Sequence, residues 1–298
     1  MEISTFEHIT SALTVKAICS PLGPDIPAGS TADDLNTLEC DADVDPINHP
    51  SRVITPDGDV KGIVWFEDYA QLDDDEGGTT IDEVMEPLEP NELLSSSTTI
   101  LDAVEIFASK PNRFFYVLHI NEIIGVIFYR DLFKPLGRLA FLALALEIED
   151  QAFRLCQSMP INERCWQSIA DTRRRKALDL FKLRYGREPK LTEDEGGHDL
   201  VFLPRPPSDI SLLIGCTNLV DKAHMIWKQK LIDSATRKDV LGFFHELKEI
   251  RDRCAHPSTE EELLPRDRLA HFVNSAKRMR DSLRVSIETH VSRNRTSS

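Results

Sequence analysis

The sequence predicts an α+β protein in two parts: a β-rich module over residues 1–136 that repeats itself, then an all-α helical bundle over residues 137–298. Three observations lead there. Charge changes sign at the junction, from 26 acidic against 7 basic residues before it (net −19) to 24 against 28 after it (net +4). Short apolar runs bounded by turn residues give way near Pro135 to long segments of helical period. Within the first part, VKGIVWFEDYAQ (Val60 to Gln71) lines up with IIGVIFYRDLFK (Ile123 to Lys134) at an offset of 63 residues. With 298 residues, 41% hydrophobic and 29% charged, the chain has room for two packed cores and is neither disordered nor fibrous in composition.

The β-rich elements follow in order. SRVITPDGD and VKGIVWF read as two strands joined at Pro56-Asp57-Gly58, a strong turn signal, and RFFYVLH and EIIGVIFY as a second pair. Each copy places Gly at the third position of its aligned strand (Gly62, Gly125) and Asp six residues later (Asp68, Asp131). Upstream of each strand pair lies a Thr-initiated amphipathic helix, STADDLNTL (Ser30 to Leu38) and TTILDAVEIF (Thr98 to Phe107). Thr99 and Asp102 have capping-box spacing. TTIDEVMEPL (Thr79 to Leu88) opens the second copy. DADVD fails as a calcium loop, because Pro46 and Arg52 stand where Gly and Glu are required.

The helical part should contain helices over 138–158, 161–186, 208–229, 236–255 and 266–292, with the Gly- and Pro-containing segment 187–209 as a long loop. Its first segment, LAFLALALEI, is apolar on nearly all sides, which suits a helix buried in both a bundle and a dimer, yet it is about half the ~20 residues of a membrane span. The expectation is a soluble, cytoplasmic protein without membrane association. Six cysteines without CxxC spacing read as free thiols.

One stretch stands out chemically, HELKEIRDRCAHPS (His245 to Ser258). At about 100° per residue, Val240, Phe244, Leu247 and Cys254 form an apolar stripe with Arg251 in its middle, while Arg253 faces solvent. A guanidinium amid apolar neighbours needs an anion, either inside the fold (Glu147, Glu149 or Asp150) or at an interface. Pro257 biases His256 out of the helix. HELKE has Glu249 where a zinc-protease helix needs its second His, so no metal site is expected. The basic run TRRRKALDLFKLRYGR (Thr172 to Arg187) could track an RNA backbone or simply be a solvated face.

Two resemblances extend this reading. The repeated half resembles a tandem pair of cystathionine β-synthase (CBS) domains over roughly residues 8 to 136. The resemblance implies two β-α-β-β-α units about a pseudo-two-fold axis, with clefts for an adenine-nucleotide-type ligand whose ribose Asp68 and Asp131 would hold. Trp65 and Phe128 stand where that family usually has the Ser or Thr that holds phosphate. A dimerising scaffold without ligand is the alternative. The sequence RDRCAH resembles the Arg-x4-His motif of the HEPN superfamily of helical bundles. That resemblance implies a homodimeric, metal-independent endoribonuclease needing no cofactor for catalysis. A 2′-hydroxyl of the RNA substrate would attack the adjacent phosphate and leave a cyclic phosphate. His256 would transfer protons, Arg251 would hold the phosphate, and Asp252 would orient them. The alternative is a non-catalytic HEPN protein that binds RNA or a protein partner.

Overall fold

The computed structural model describes residues 5–31, 34, 49–65, 79–157, 162–189, 192–193, 200–201, 209–233, 235–256 and 264–295. It divides into two compact units, Ser11–Arg138 and Met1–Thr10 with Leu139–Ser298. The chain's first described helix, α1 (Thr5–Ala12), precedes the first sheet.

The first unit holds two three-stranded sheets built alike. In one, β1 (Ile26–Pro27) pairs parallel with β2 (Ser51–Ile54), which pairs antiparallel with β3 (Val60–Val64). A short helix, α2 (Ile81–Val84), opens the second copy. In the other sheet, β4 (Leu93–Ser95) is followed by helix α3 (Ile100–Ser109) and pairs parallel with β5 (Phe114–His119), which pairs antiparallel with β6 (Glu122–Phe128). The registers correspond. Val53 faces Gly62 as Val117 faces Gly125, and both hairpins slip at the next residue, between Val53 and Ile54 and between Val117 and Leu118. The Pro56-Asp57-Gly58 turn forms as read, with Gly58 at φ +87°.

The copies also interleave. Ser20, ahead of β1, exchanges two backbone hydrogen bonds with Val126 of β6 (2.8 and 2.9 Å), and Glu86, ahead of β4, does the same with Ile63 of β3 (2.8 and 2.9 Å). This explains both aligned glycines. A Cβ on Gly125 would lie 2.4 Å from the Ser20 carbonyl oxygen, and one on Gly62 would lie 2.8 Å from that of Glu86. The helix starts correspond too. Thr99 Oγ1 accepts from Asp102 N and donates to Asp102 Oδ2, while Thr31 donates through N and Oγ1 to Asp34 Oδ2. The remainder of the helix expected at Ser30 to Leu38 lies outside the described residues, as does Asp68.

The second unit is helical apart from a hairpin of two-residue strands. It comprises α4 (Pro135–Gln157, which begins at the end of the first unit), α5 (Asn162–Gln167), α6 (Asp171–Tyr185), strands β7 (Thr192–Glu193) and β8 (Leu200–Val201), then α7 (Asp209–Gly215), α8 (Leu219–Lys228), α9 (Arg237–Ala255) and α10 (Arg266–Arg295). Two of the expected helices are each broken in two. The segment 208–229 stops at Gly215 and restarts at Asn218, whose side chain caps Asp221 N while Asp221 returns a bond to Asn218 N. The segment 161–186 breaks after Gln167, where Lys228 Nζ takes the Ser168 carbonyl and Gln229 Nε2 that of Arg164. The expected long loop contains the β7–β8 pair.

Helix α4 is the hub. Ala140, Phe141, Leu144, Ala145, Ile148 and Ala152 are buried on it, so most of its all-round apolar surface is used within one chain, leaving Leu136 and Leu139 about 40% exposed. It reaches α7 through Gln157 (2.7 Å to the Ser211 carbonyl), α8 through Cys156, and α9 and α10 through the acids described next. The five described cysteines are free thiols, and no helix among the described residues is long and apolar enough to cross a membrane.

Candidate functional site

Helix α9 begins where Thr236 and Asp239 form a reciprocal capping box, and it buries Val240, Phe243, Phe244, Leu247, Ile250 and Cys254. That periodic face carries Arg251 against α4. The guanidinium Nη1 donates to Glu149 Oε2 at 2.8 Å, and Nε and Nη2 donate to Asp252 Oδ1 at 3.2 and 3.0 Å. The anion required by the apolar stripe is therefore found inside the fold. Lys248 fixes the other oxygen of Asp252 at 2.8 Å. A second cation completes the cluster: Lys222 on α8, buried, donates to the Thr217 carbonyl at 2.8 Å and lies 3.9 Å from Glu149 Oε1.

The electrostatics follow from this packing. Burial works to lower the Arg251 guanidinium, but hydrogen bonds to Asp252 and Glu149 outweigh it and raise its pKa above the usual value. Hydrogen bonding to Lys248, then Arg251, holds the Asp252 carboxyl below the usual range. Burial pushes the Lys222 ammonium down, with Glu149 opposing. Three cations share two carboxylates, so the cluster keeps net positive charge. The Arg251 side chain remains 27% exposed, enough to present an edge to a ligand.

His256 ends α9 at φ −121°, ψ 84°, outside helical geometry as Pro257 demands, and its ring is exposed. Its backbone N–H bonds to the Asp252 carbonyl at 3.1 Å, and among the described residues its imidazole makes no hydrogen bond. The structure thus brings together Arg251, Asp252 and Glu149 and leaves His256 at the mouth of the helix, outside the ion-pair cluster. Arg253 is half exposed and pairs with Glu249 one turn earlier on its own helix (2.7 Å), on the solvent side its face predicts. Glu147, also a proposed partner of Arg251, instead lies 4.0 Å from Arg280 and accepts from Gln151. Lys222 escaped the sequence reading. The signal was present, since Leu219, Lys222, Ala223 and Ile226 lie on one helical stripe, the pattern that exposed Arg251.

In the first unit, Asp131 is buried and both oxygens are engaged. Oδ2 accepts from Phe128 N at 2.7 Å and Oδ1 meets Lys134 Nζ at 3.1 Å; Lys134 also ties down the Ile18 carbonyl and Ser20 Oγ. The two positions lacking hydroxyls meet each other. Trp65 and Phe128 stand 6.0 Å apart between ring centroids, Phe114 lies 4.7 Å from Trp65, and Arg130 stacks over Phe128 at 4.9 Å. At the hairpin ends a cleft of about 560 Å³ is lined from both copies by Ile54, Val60, Leu118 and Ile123, with the Asp25–Arg52 ion pair (2.6 Å) at its edge. Among the described residues, no group of three or more His, Cys, Asp or Glu side chains is placed to hold a metal ion.

No family model and no curated protein matches the chain. Solved structures do, over its N-terminal part. The CBS domains of a transcriptional regulator from Streptococcus pneumoniae share 23% identity with it, covering 40% of this chain and 96% of that one at a TM-score of 0.28. The CBS domain of a bacterial CNNM/CorC family Mg2+ transporter in complex with ATP shares 14%, covering 43% and 91% at 0.31. CBSX2 in complex with AMP shares 18%, covering 40% and 92% at 0.28.

Proposed function

We propose that the protein is a metal-independent endoribonuclease of HEPN type whose Arg251/His256 site is governed by a CBS-type ligand-sensing module. The observation that carries the reading is the Arg251 cluster, a guanidinium held by Glu149 and Asp252, kept charged, and still partly open, on a helix that ends in an exposed imidazole. Such a group meets what phosphodiester cleavage by an internal 2′-hydroxyl requires. Arg251 offers N–H donors to the phosphate oxygens as negative charge builds there, and Asp252 fixes its orientation. His256, exposed, shuttles the proton from the 2′-hydroxyl or to the 5′-oxygen leaving group. Five residues along a helix turn the direction by roughly 140°, so Arg251 and His256 of one chain diverge, and a homodimer that sets two such pairs facing each other supplies convergence. RNA incubated with the protein in chelator tests this, with Arg251→Ala and His256→Ala each expected to lower cleavage about 10²-fold or more while leaving the fold intact.

For the sensor module we propose a ligand of adenosine type held by stacking more than by phosphate. The support is the Trp65–Phe114–Phe128 cluster in place of hydroxyls. Asp68 and Asp131 are the proposed ribose contacts; at Asp131 a ribose would have to displace Lys134 from Oδ1. Calorimetry should find adenosine binding as tightly as ATP, and Asp131→Ala should weaken both. Unchanged binding removes Asp131 from the site.

One observation favours a second reading. Two carboxylates already satisfy Arg251, as in a purely structural ion pair, which suits a non-catalytic bundle that binds RNA or a protein. That reading predicts RNA retention without cleavage.

A further inference from the structure

The helical unit contains a second polar cleft, of about 350 Å³, where α6, α8 and the start of α9 meet. Six side chains on its wall carry the argument: Arg173, Asp221, His224, Trp227, Lys228 and Arg237. It is distinct from the Arg251 cluster, since Arg237 and Arg251 stand 14 residues apart on one helix, about 21 Å at 1.5 Å per residue.

Each group is positioned for a reason. The Arg237 guanidinium lies over the Trp227 ring at 5.2 Å, a cation–π contact that holds its N–H donors at the cleft wall. Lys228 donates one N–H to the Ser168 carbonyl, at the break between α5 and α6, which directs its ammonium into the cleft. Arg173, in the first turn of α6, sits 3.7 Å from Asp221, whose carboxylate also caps α8. Burial, then Lys228, lowers the pKa of His224, with Asp221 opposing and Arg237 and His245 adding to the depression, which favours the neutral imidazole with its one N–H donor. Among the described residues on its wall, three cations face one carboxylate, a net charge of +2.

We propose that this cleft binds the terminal phosphate of a small phosphorylated ligand, a phosphomonoester dianion. The charge decides between phosphate types. A monoester above its second pKa of ~6 carries about −2 and matches the site, whereas a diester such as an internal RNA phosphate carries −1 and lacks the third terminal oxygen needed to engage Arg173, Lys228 and Arg237 together. The proposal is independent of the cleavage reading.

Calorimetry on the full chain at pH 7.5 and low salt tests it with ribose 5-phosphate and inorganic phosphate, which have no base for the sensor module to stack, against ribose and dimethyl phosphate. Ribose 5-phosphate should bind at least about tenfold more tightly than dimethyl phosphate, ribose should not bind, and Arg173→Gln and Arg237→Gln should each weaken binding about tenfold. A readout that needs no substitution is the His224 ring by NMR, whose pKa should rise when a dianion sits beside it. Equal binding of monoester and diester, binding unchanged in both variants, or a His224 titration indifferent to phosphate would each overturn the proposal.

Discussion

At the scale of single residues, the decisive feature is a carboxylate shared by two cations. Glu149 meets Arg251 at 2.8 Å and Lys222 at 3.9 Å, and the first pair is about a quarter exposed. Replacing Glu149 with Gln leaves both cations without that charge, and after discounting for solvent a loss of about 1–3 kcal/mol in denaturant unfolding is expected. A gain in stability would mean the cluster is strained rather than supporting. Asp252 adds a pH dependence of definite sign. Its folded pKa lies below the unfolded value near 4, so its contribution is complete above that value and disappears as pH falls through the folded one. Asp252→Asn should therefore flatten the stability profile in that acid window and leave it unchanged in shape above pH 5. Arg251 was legible because a charge on an apolar stripe must be paired; the identity of its partner was not, since only packing chose Glu149 over Glu147 and Asp150.

Among the elements, the interleaved strands give the sharpest prediction. Ala at Gly62 or Gly125 places a Cβ against a carbonyl of the opposite copy and should cost about 1–3 kcal/mol, more at Gly125, where the approach is closer. Loss at neither position would contradict the crossing of Ser20 and Glu86 over the sheets. The repeat itself was readable at Gly62/Gly125 because the two strands share a pattern. The crossing was not, because Ser20 and Glu86 are unlike residues joined only through backbone. Helix breaks divide the same way. Asn218 and Asp221 spell a capping signal in the sequence, whereas the break after Gln167 depends on Lys228 and Gln229 reaching its carbonyls from about 60 residues away, which no local pattern reports.

For the whole molecule, the proposal requires two copies. A stable isologous interface buries about 1,200–2,000 Å² in total, and on α4 Leu136 and Leu139 are about 40% exposed. Light scattering at micromolar concentration should give a dimer mass; a monomer would remove the means of bringing Arg251 and His256 together. Mixed dimers of Arg251→Ala and His256→Ala chains should recover part of the cleavage if the site is shared between copies, and none if each chain works alone. The most direct test of the account is the reaction itself: purified protein with RNA in EDTA, followed by analysis of the product ends. The expected result is cleavage leaving 2′,3′-cyclic phosphate, lowered about 10²-fold or more by His256→Ala, damaged by Arg251→Lys and little changed by Arg253→Ala. Cleavage that requires magnesium, or that survives Arg251→Ala and is abolished by Arg253→Ala, would contradict it.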